Sequence, residues 1–182
     1  MSENPSTSSD LYIWDVVVRS CHWGLAIAFV TNYFIVEPGR LIHEIAGYSA
    51  VTLVAVRLIW GFVSHKSSYA SWQQIDLSKQ ACLSHLSQIK QKQLPKAHGH
   101  NPFGWLMIIV VLSLVIGLGV TGFMMEEIDA FFGNSRLEWV HGALADSLYI
   151  CALIHIAAVF IVQYKGNIQL LRPMLTGKRK KF

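Results

Sequence analysis

Four histidines lie inside or at the edge of long apolar runs, where an ionisable side chain is costly enough to suggest a function: His22, His43, His141 and His155. His141 and His155 are 14 residues apart. On an α-helix that is about 21 Å of rise and close to four whole turns, so both project from nearly one face. His22 follows Arg19 by three residues at the start of one apolar run, and His43 follows Arg40 by three at the start of the next. If those runs are antiparallel, the two histidines lie at opposite depths. Matching depths then pairs His22 with His155 and His43 with His141, each pair drawn from different helices. Haem iron takes axial ligands from opposite directions and histidine is a common choice, so a planar macrocycle between two imidazoles fits this pattern. Zinc fits less well, because a structural site takes four protein ligands and a catalytic site three. The competing readings are neutral histidines hydrogen-bonded between helices and a proton relay in a receptor or transporter.

The elements that must position these residues are membrane helices. The chain is 53% hydrophobic and only 14% charged over 182 residues, too apolar for an ordinary soluble domain, and the length allows one domain. The fold class expected is all-α, a four-helix transmembrane bundle in a lipid bilayer. Its spans are about 20–36, 41–63, 103–125 and 137–164, within one domain over 11–176. Residues 1–10 are polar and expected to be disordered, and 177–182 form a basic C-terminal tail. Leu11 to Val18, with Tyr12 and Trp14, suits the water interface. No cleavable leader is evident, so the first span should be retained. Glu37-Pro38-Gly39 ends that span, and Asn101 with Pro102 forms a cap and first-turn pair that starts the third. The long loop 64–101 has a weakly amphipathic stretch around Ile75 to Ile89 that suits a surface helix.

Positive charge sets the orientation. Lys66, Lys79, Lys90, Lys92 and Lys96 follow the second span, and Lys165, Arg172 and Lys178-Arg179-Lys180-Lys181 follow the fourth, whereas the other side offers Arg40 and Arg136. Both termini are therefore expected in the cytoplasm. The basic residues flank apolar runs rather than forming one surface, so nucleic acid is not an expected partner. The opposite face collects Glu37, Glu44, Glu126, Glu127, Asp129, Glu138 and Asp146, which would steer a basic partner there. Cys21, Cys82 and Cys151 have no metal-ligand spacing and read as free thiols.

Among the remaining groups, Arg19 and Arg57 at cytoplasmic span ends could pair with haem propionates or snorkel to set topology. For Arg40 and Arg136 on the other side the topological role is favoured. His100 could contact a propionate or shuttle a proton at a quinone site, but its place in a helix start is favoured, and His65, His85 and His98 read as solvated loop residues. Gly117, Gly119 and Gly122 spell G-x-G-x-x-G inside a span with no preceding strand, so close helix or macrocycle approach explains them better than dinucleotide binding. Met124 and Met125 read as packing rather than axial ligands.

Several of these stretches carry a resemblance. Trp14-Asp15 with Arg19 and His22-Trp23, His43 with Gly47-Tyr48, Arg57-Leu58-Ile59-Trp60-Gly61-Phe62-Val63, Gly99-His100-Asn101-Pro102, Val140-His141, His155, and Thr176-Gly177-Lys178-Arg179 resemble the prokaryotic cytochrome b561 family. The likeness is greatest to the branch of nickel-iron hydrogenase b-type cytochrome subunits and small dihaem cytochromes b. It implies two haems b with His22, His43, His141 and His155 as axial ligands. It also implies a bacterial inner-membrane location and electron exchange between quinone and a protein partner, such as a c-type cytochrome or a dehydrogenase or hydrogenase subunit. Some relatives of that wider family oxidise superoxide and reduce quinone on their own, which is the alternative activity. Where relatives often carry a His-x-Glu-Asn-like stretch after the last span, this chain has Tyr164-Lys165-Gly166-Asn167.

Overall fold

The computed structural model describes residues 10–91 and 99–180. The expected disorder of residues 1–10 therefore falls almost wholly outside the described residues, as do Lys92, Lys96, His98 and Lys181. Six α-helices are present among the described residues: α1 (Val16–Val30), α2 (Leu41–Val63), α3 (Lys79–Lys90), α4 (Pro102–Glu127), α5 (Ser135–Gly166) and α6 (Leu171–Thr176). Three of them, α2, α4 and α5, are long and apolar enough to cross a membrane. The span expected over 20–36 is shorter as an α-helix. It starts earlier, at Val16, and passes into a π-helical turn, Thr31–Ile35, before leaving the helix at Val36.

Local chemistry explains the boundaries. The Asp15 carboxylate accepts from Val18 N–H at 2.9 Å and starts α1. The chain reverses into α2 through Gly39, whose φ of +73° suits a residue without a Cβ. Asn101 Oδ1 accepts from Gly104 N–H at 2.7 Å, with Pro102 at the first position of α4, as expected. Asn134 caps α5, and Asn167, in the left-handed region, ends it.

α1 packs on α2, α2 on α4, and α4 on α5. The apolar centre is Val54, Leu112, Val115 and Leu148, flanked by Leu25 and Phe29. Two glycines set how closely the helices approach: a Cβ on Gly119 of α4 would meet Val51 Cγ2 at 2.4 Å, and one on Gly24 of α1 would meet Leu53 Cδ1 at 2.7 Å. Backbone packing of α5 against α1 or α2 is sparse among the described residues. On that side the helices meet through side chains: Tyr33 stacks on Tyr149 at 4.9 Å and donates to Asp146 Oδ1 at 2.9 Å.

Three expectations change. The surface helix begins at Lys79, later than Ile75, because Ser78 caps it after a 3-10 turn over Trp72–Gln74. His85 on that helix is buried against Phe103 rather than solvated. The N-terminal segment does not simply lie at the interface: Tyr12 is exposed, but Trp14 is buried with Ile13, Val18 and Ala70. The basic tail covers it. Strand β1 (Leu11–Tyr12) pairs antiparallel with β2 (Lys178–Arg179), and Ile13 N–H donates to Gly177 O at 2.8 Å.

Candidate functional site

α5 presents His141 and His155 toward α2 and α1 respectively. The His22 and His155 rings have centroids 6.2 Å apart at 54°, and those of His43 and His141 are 6.3 Å apart at 55°. Thus all four histidines fall into the two pairs that depth matching selected, with almost the same geometry in each. The opposite combinations are precluded by the helix rise between His141 and His155. Among the described residues no three His, Cys, Asp or Glu side chains converge as a metal-binding group.

The outer faces of these rings differ. Nδ1 of His141 lies 2.7 Å from Thr121 Oγ1 on α4, and that hydroxyl is also 2.8 Å from Gly117 O. Nδ1 of His22 and of His43 are buried without a hydrogen-bond partner among the described residues. Gly122 leaves room beside His141, where a Cβ would stand 3.6 Å from Cε1. The three glycines of the G-x-G-x-x-G stretch are therefore contact positions: Gly117 faces Leu144, Gly119 faces Val51 and Gly122 faces His141.

Arg57 is buried, at 5% exposure, so it does not snorkel. Its Nη2 donates to Ala70 O at 3.1 Å, its guanidinium lies 4.5 Å over the Trp72 ring, and its Nη1 is buried without a partner among the described residues. Trp72 reaches this position because Gly61 is bare: its indole lies within the space a Cβ there would take and donates to Leu58 O at 2.9 Å. Arg19 donates through Nη1 to Leu175 O at 2.8 Å, which holds α6 against α1, while its Nε is buried without a partner among the described residues. Arg40 instead forms an exposed ion pair with Glu37 at 3.2 Å.

Sequence reasoning favoured the helix start for His100 over a propionate contact or a proton shuttle at a quinone site. It lies in a more specific place, 4.4 Å from the Trp14 ring and 5.0 Å from the Trp105 ring. Loss of solvent around the imidazole holds its pKa down at about 3, with further lowering from Arg57, His155 and His22. Thr121 was not singled out at all. A hydroxyl inside an apolar run, one residue from a glycine, was the available signal.

The two imidazole pairs thus lie between facing helices of an apolar bundle in which three helices are long and apolar enough to cross a membrane. Residues 13–177 match the family model of prokaryotic cytochrome b561, and the chain belongs to that family. It is a multi-pass membrane b-type cytochrome, a haem b protein of electron transfer. Comparison with curated proteins and with solved structures gave no match.

Proposed function

We propose that this chain is a dihaem cytochrome b that relays electrons between a quinone pool and a protein redox partner. In this reading α1 with its π turn is the fourth membrane crossing and both termini are cytoplasmic. His22 and His155 hold the cytoplasmic haem, and His43 and His141 the outer one. The observation that carries the reading is the spacing of the two ring pairs. A metal–imidazole bond is about 2 Å, so two rings coordinated from opposite sides have centroids about 6 Å apart. The 6.2 and 6.3 Å separations agree with that figure.

The surrounding donors fit the same group. Coordination through Nε2 directs Nδ1 into the protein, where those of His22 and His43 are buried and that of His141 meets Thr121. The unpartnered Nη1 of Arg57 and Nε of Arg19 are charge-assisted donors that the carboxylate of a haem propionate would satisfy. Haem bound in this way supplies a one-electron iron couple whose potential depends on ligand basicity, burial and hydrogen bonding. The protein residues hold the ring planes, keep water from the apolar walls and set the ligand tautomers.

A quinone reaches such a bundle from the bilayer. The acidic outer helix ends, Glu37, Glu44, Glu126, Glu127, Asp129 and Glu138, favour a basic protein partner, and they disfavour superoxide oxidation because that substrate is an anion. The test is a dithionite-reduced minus oxidised spectrum with pyridine haemochrome quantification, run on the wild type, His22→Ala and His43→Ala. The expected result is about two haems b per chain, with one lost in each variant. Haem content unchanged by either substitution would overturn the ligand assignment. Reoxidation by a quinone analogue, and failure to turn over superoxide, would distinguish the carrier from the stand-alone enzyme.

A further inference from the structure

The two histidine pairs are alike in ring geometry but unlike in what stands behind the rings. Of the four imidazoles, His141 alone has a side-chain hydrogen-bond partner among the described residues, Thr121 at 2.7 Å. Thr121 lies on α4, outside the helices that carry the pair, and is 8% exposed.

The hydroxyl has one proton to give. Two backbone carbonyls of its own helix lie within reach, Gly117 O at 2.8 Å and Leu118 O at 3.2 Å, and a carbonyl oxygen only accepts. The proton directed to Gly117 O leaves the hydroxyl oxygen as acceptor toward His141 Nδ1. His141 then carries its hydrogen on Nδ1, and Nε2 keeps the lone pair on the side of His43.

We propose that Thr121 is a positioning residue for the outer haem site: its hydroxyl locks His141 in the Nδ1–H tautomer and raises the basicity of Nε2. This inference rests on the reading of His141 as an axial ligand. A ligand that donates through its outer N–H is a stronger electron donor, which stabilises the oxidised iron. Loss of the hydroxyl should therefore raise the potential of the outer haem and leave that of the His22–His155 haem in place.

The experiment is a spectroelectrochemical titration of the haem-loaded protein in detergent, with haem content measured for each sample. Wild type is compared with Thr121→Val, Thr121→Ser, Thr121→Ala and His141→Ala. His141→Ala reports on the ligand reading alone: a haem lost supports it, and none lost overturns it together with this inference. Valine keeps the shape and removes the hydroxyl. Two haems retained, with one potential shifted upward in the valine variant and restored by serine, is the result expected. Two haems retained with both potentials unchanged in the valine variant overturns the positioning role while leaving ligation intact. Where valine prevents haem incorporation, the serine variant decides. A wild-type pair of potentials upholds the hydroxyl's role, and a shift as large as that of Thr121→Ala assigns the effect to the missing methyl and overturns it.

Discussion

Gly119 fixes the distance between α2 and α4, and through it the gap in which His43 faces His141. A Cβ at this position would stand 2.4 Å from Val51 Cγ2, against the roughly 3.5–4.0 Å of an ordinary carbon contact. Gly119→Ala thus requires the helices or the Val51 side chain to yield by more than an ångström. Valine on a helix is nearly locked in one rotamer, so the backbone must take up most of that movement. Overpacking of this kind costs about 1–3 kcal/mol, and the better helix propensity of alanine returns about 0.5–1 kcal/mol. Taking the middle of each range, the net expectation is a loss of about 1 kcal/mol, equivalent to a fall of roughly 2–4 °C in midpoint at about 2–4 °C per kcal/mol. In the proposed two-haem reading, the haem of the His43–His141 pair should be lost ahead of that of the His22–His155 pair, because His43 rides on α2.

Val51→Ala supplies the control, since it removes the atoms that the new methyl would strike. The double variant should recover most of the loss, with a favourable coupling of about 1–3 kcal/mol in a double-mutant cycle. Thermal unfolding in detergent, followed by haem absorbance and by helical signal, measures both quantities. Equal stability of Gly119→Ala and wild type, or additive effects of the two substitutions, would refute the contact as the determinant of the gap.

Other outcomes follow from the same geometry. Gly61→Ala should drive Trp72 out of its seat against α2 and away from Arg57, because the indole lies where the new Cβ must go. A red-shifted, more quenchable tryptophan emission would register this, and an unchanged spectrum would contradict it. Asn101→Ala removes the cap of α4 and should cost about 1 kcal/mol in the same unfolding assay, with Asn101→Asp close to wild type. His85 is held below its ordinary pKa of 6.5 by burial, so the unfolded or undocked form binds the proton more readily. Docking of α3 should accordingly weaken as pH falls through 6.5 and below. Limited proteolysis of that segment at pH 5 and 8 should show the difference in wild type and lose it in His85→Leu.

The pairing of the histidines was legible because it needs only two regular quantities, helix rise and alternating helix direction. Positions 22, 43, 141 and 155 then fall at two depths whatever the bundle's detailed packing. The start of α4 was legible for a similar reason, since Asn101 with Pro102 acts within one turn. What escaped the sequence depends on azimuth. Whether Thr121 of α4 looks at α5 or at lipid is decided by how ridges and small residues seat α4 against its neighbours, and a polar residue in an apolar run carries no label for its direction. Arg57 was read as either a propionate partner or a snorkelling cation for the same reason. Its burial under Trp72 depends on Gly61, one turn further along the same face of α2, and a glycine does not announce which side chain will fill the space it leaves.

The clasp between the two ends of the chain was the least legible feature, and it bears on function. Leu11 pairs with Arg179, and Arg19 and Trp23 of α1 donate to Leu175 O and Met174 O at 2.8 and 3.1 Å. Nothing local announces a pairing across most of the sequence, since strands of two residues have no periodicity to read. Yet the clasp holds the first turns of α1, and with them His22, against the end of the chain that leaves α5 and His155. Removal of residues from Gly177 onward should therefore loosen the His22–His155 pair and spare the His43–His141 pair, which lies about 20 Å away along α5. In the proposed two-haem reading, selective broadening or loss of one haem signal in the truncated protein is the expected result. Equal loss of both would mean that the clasp supports the whole bundle rather than the His22–His155 pair.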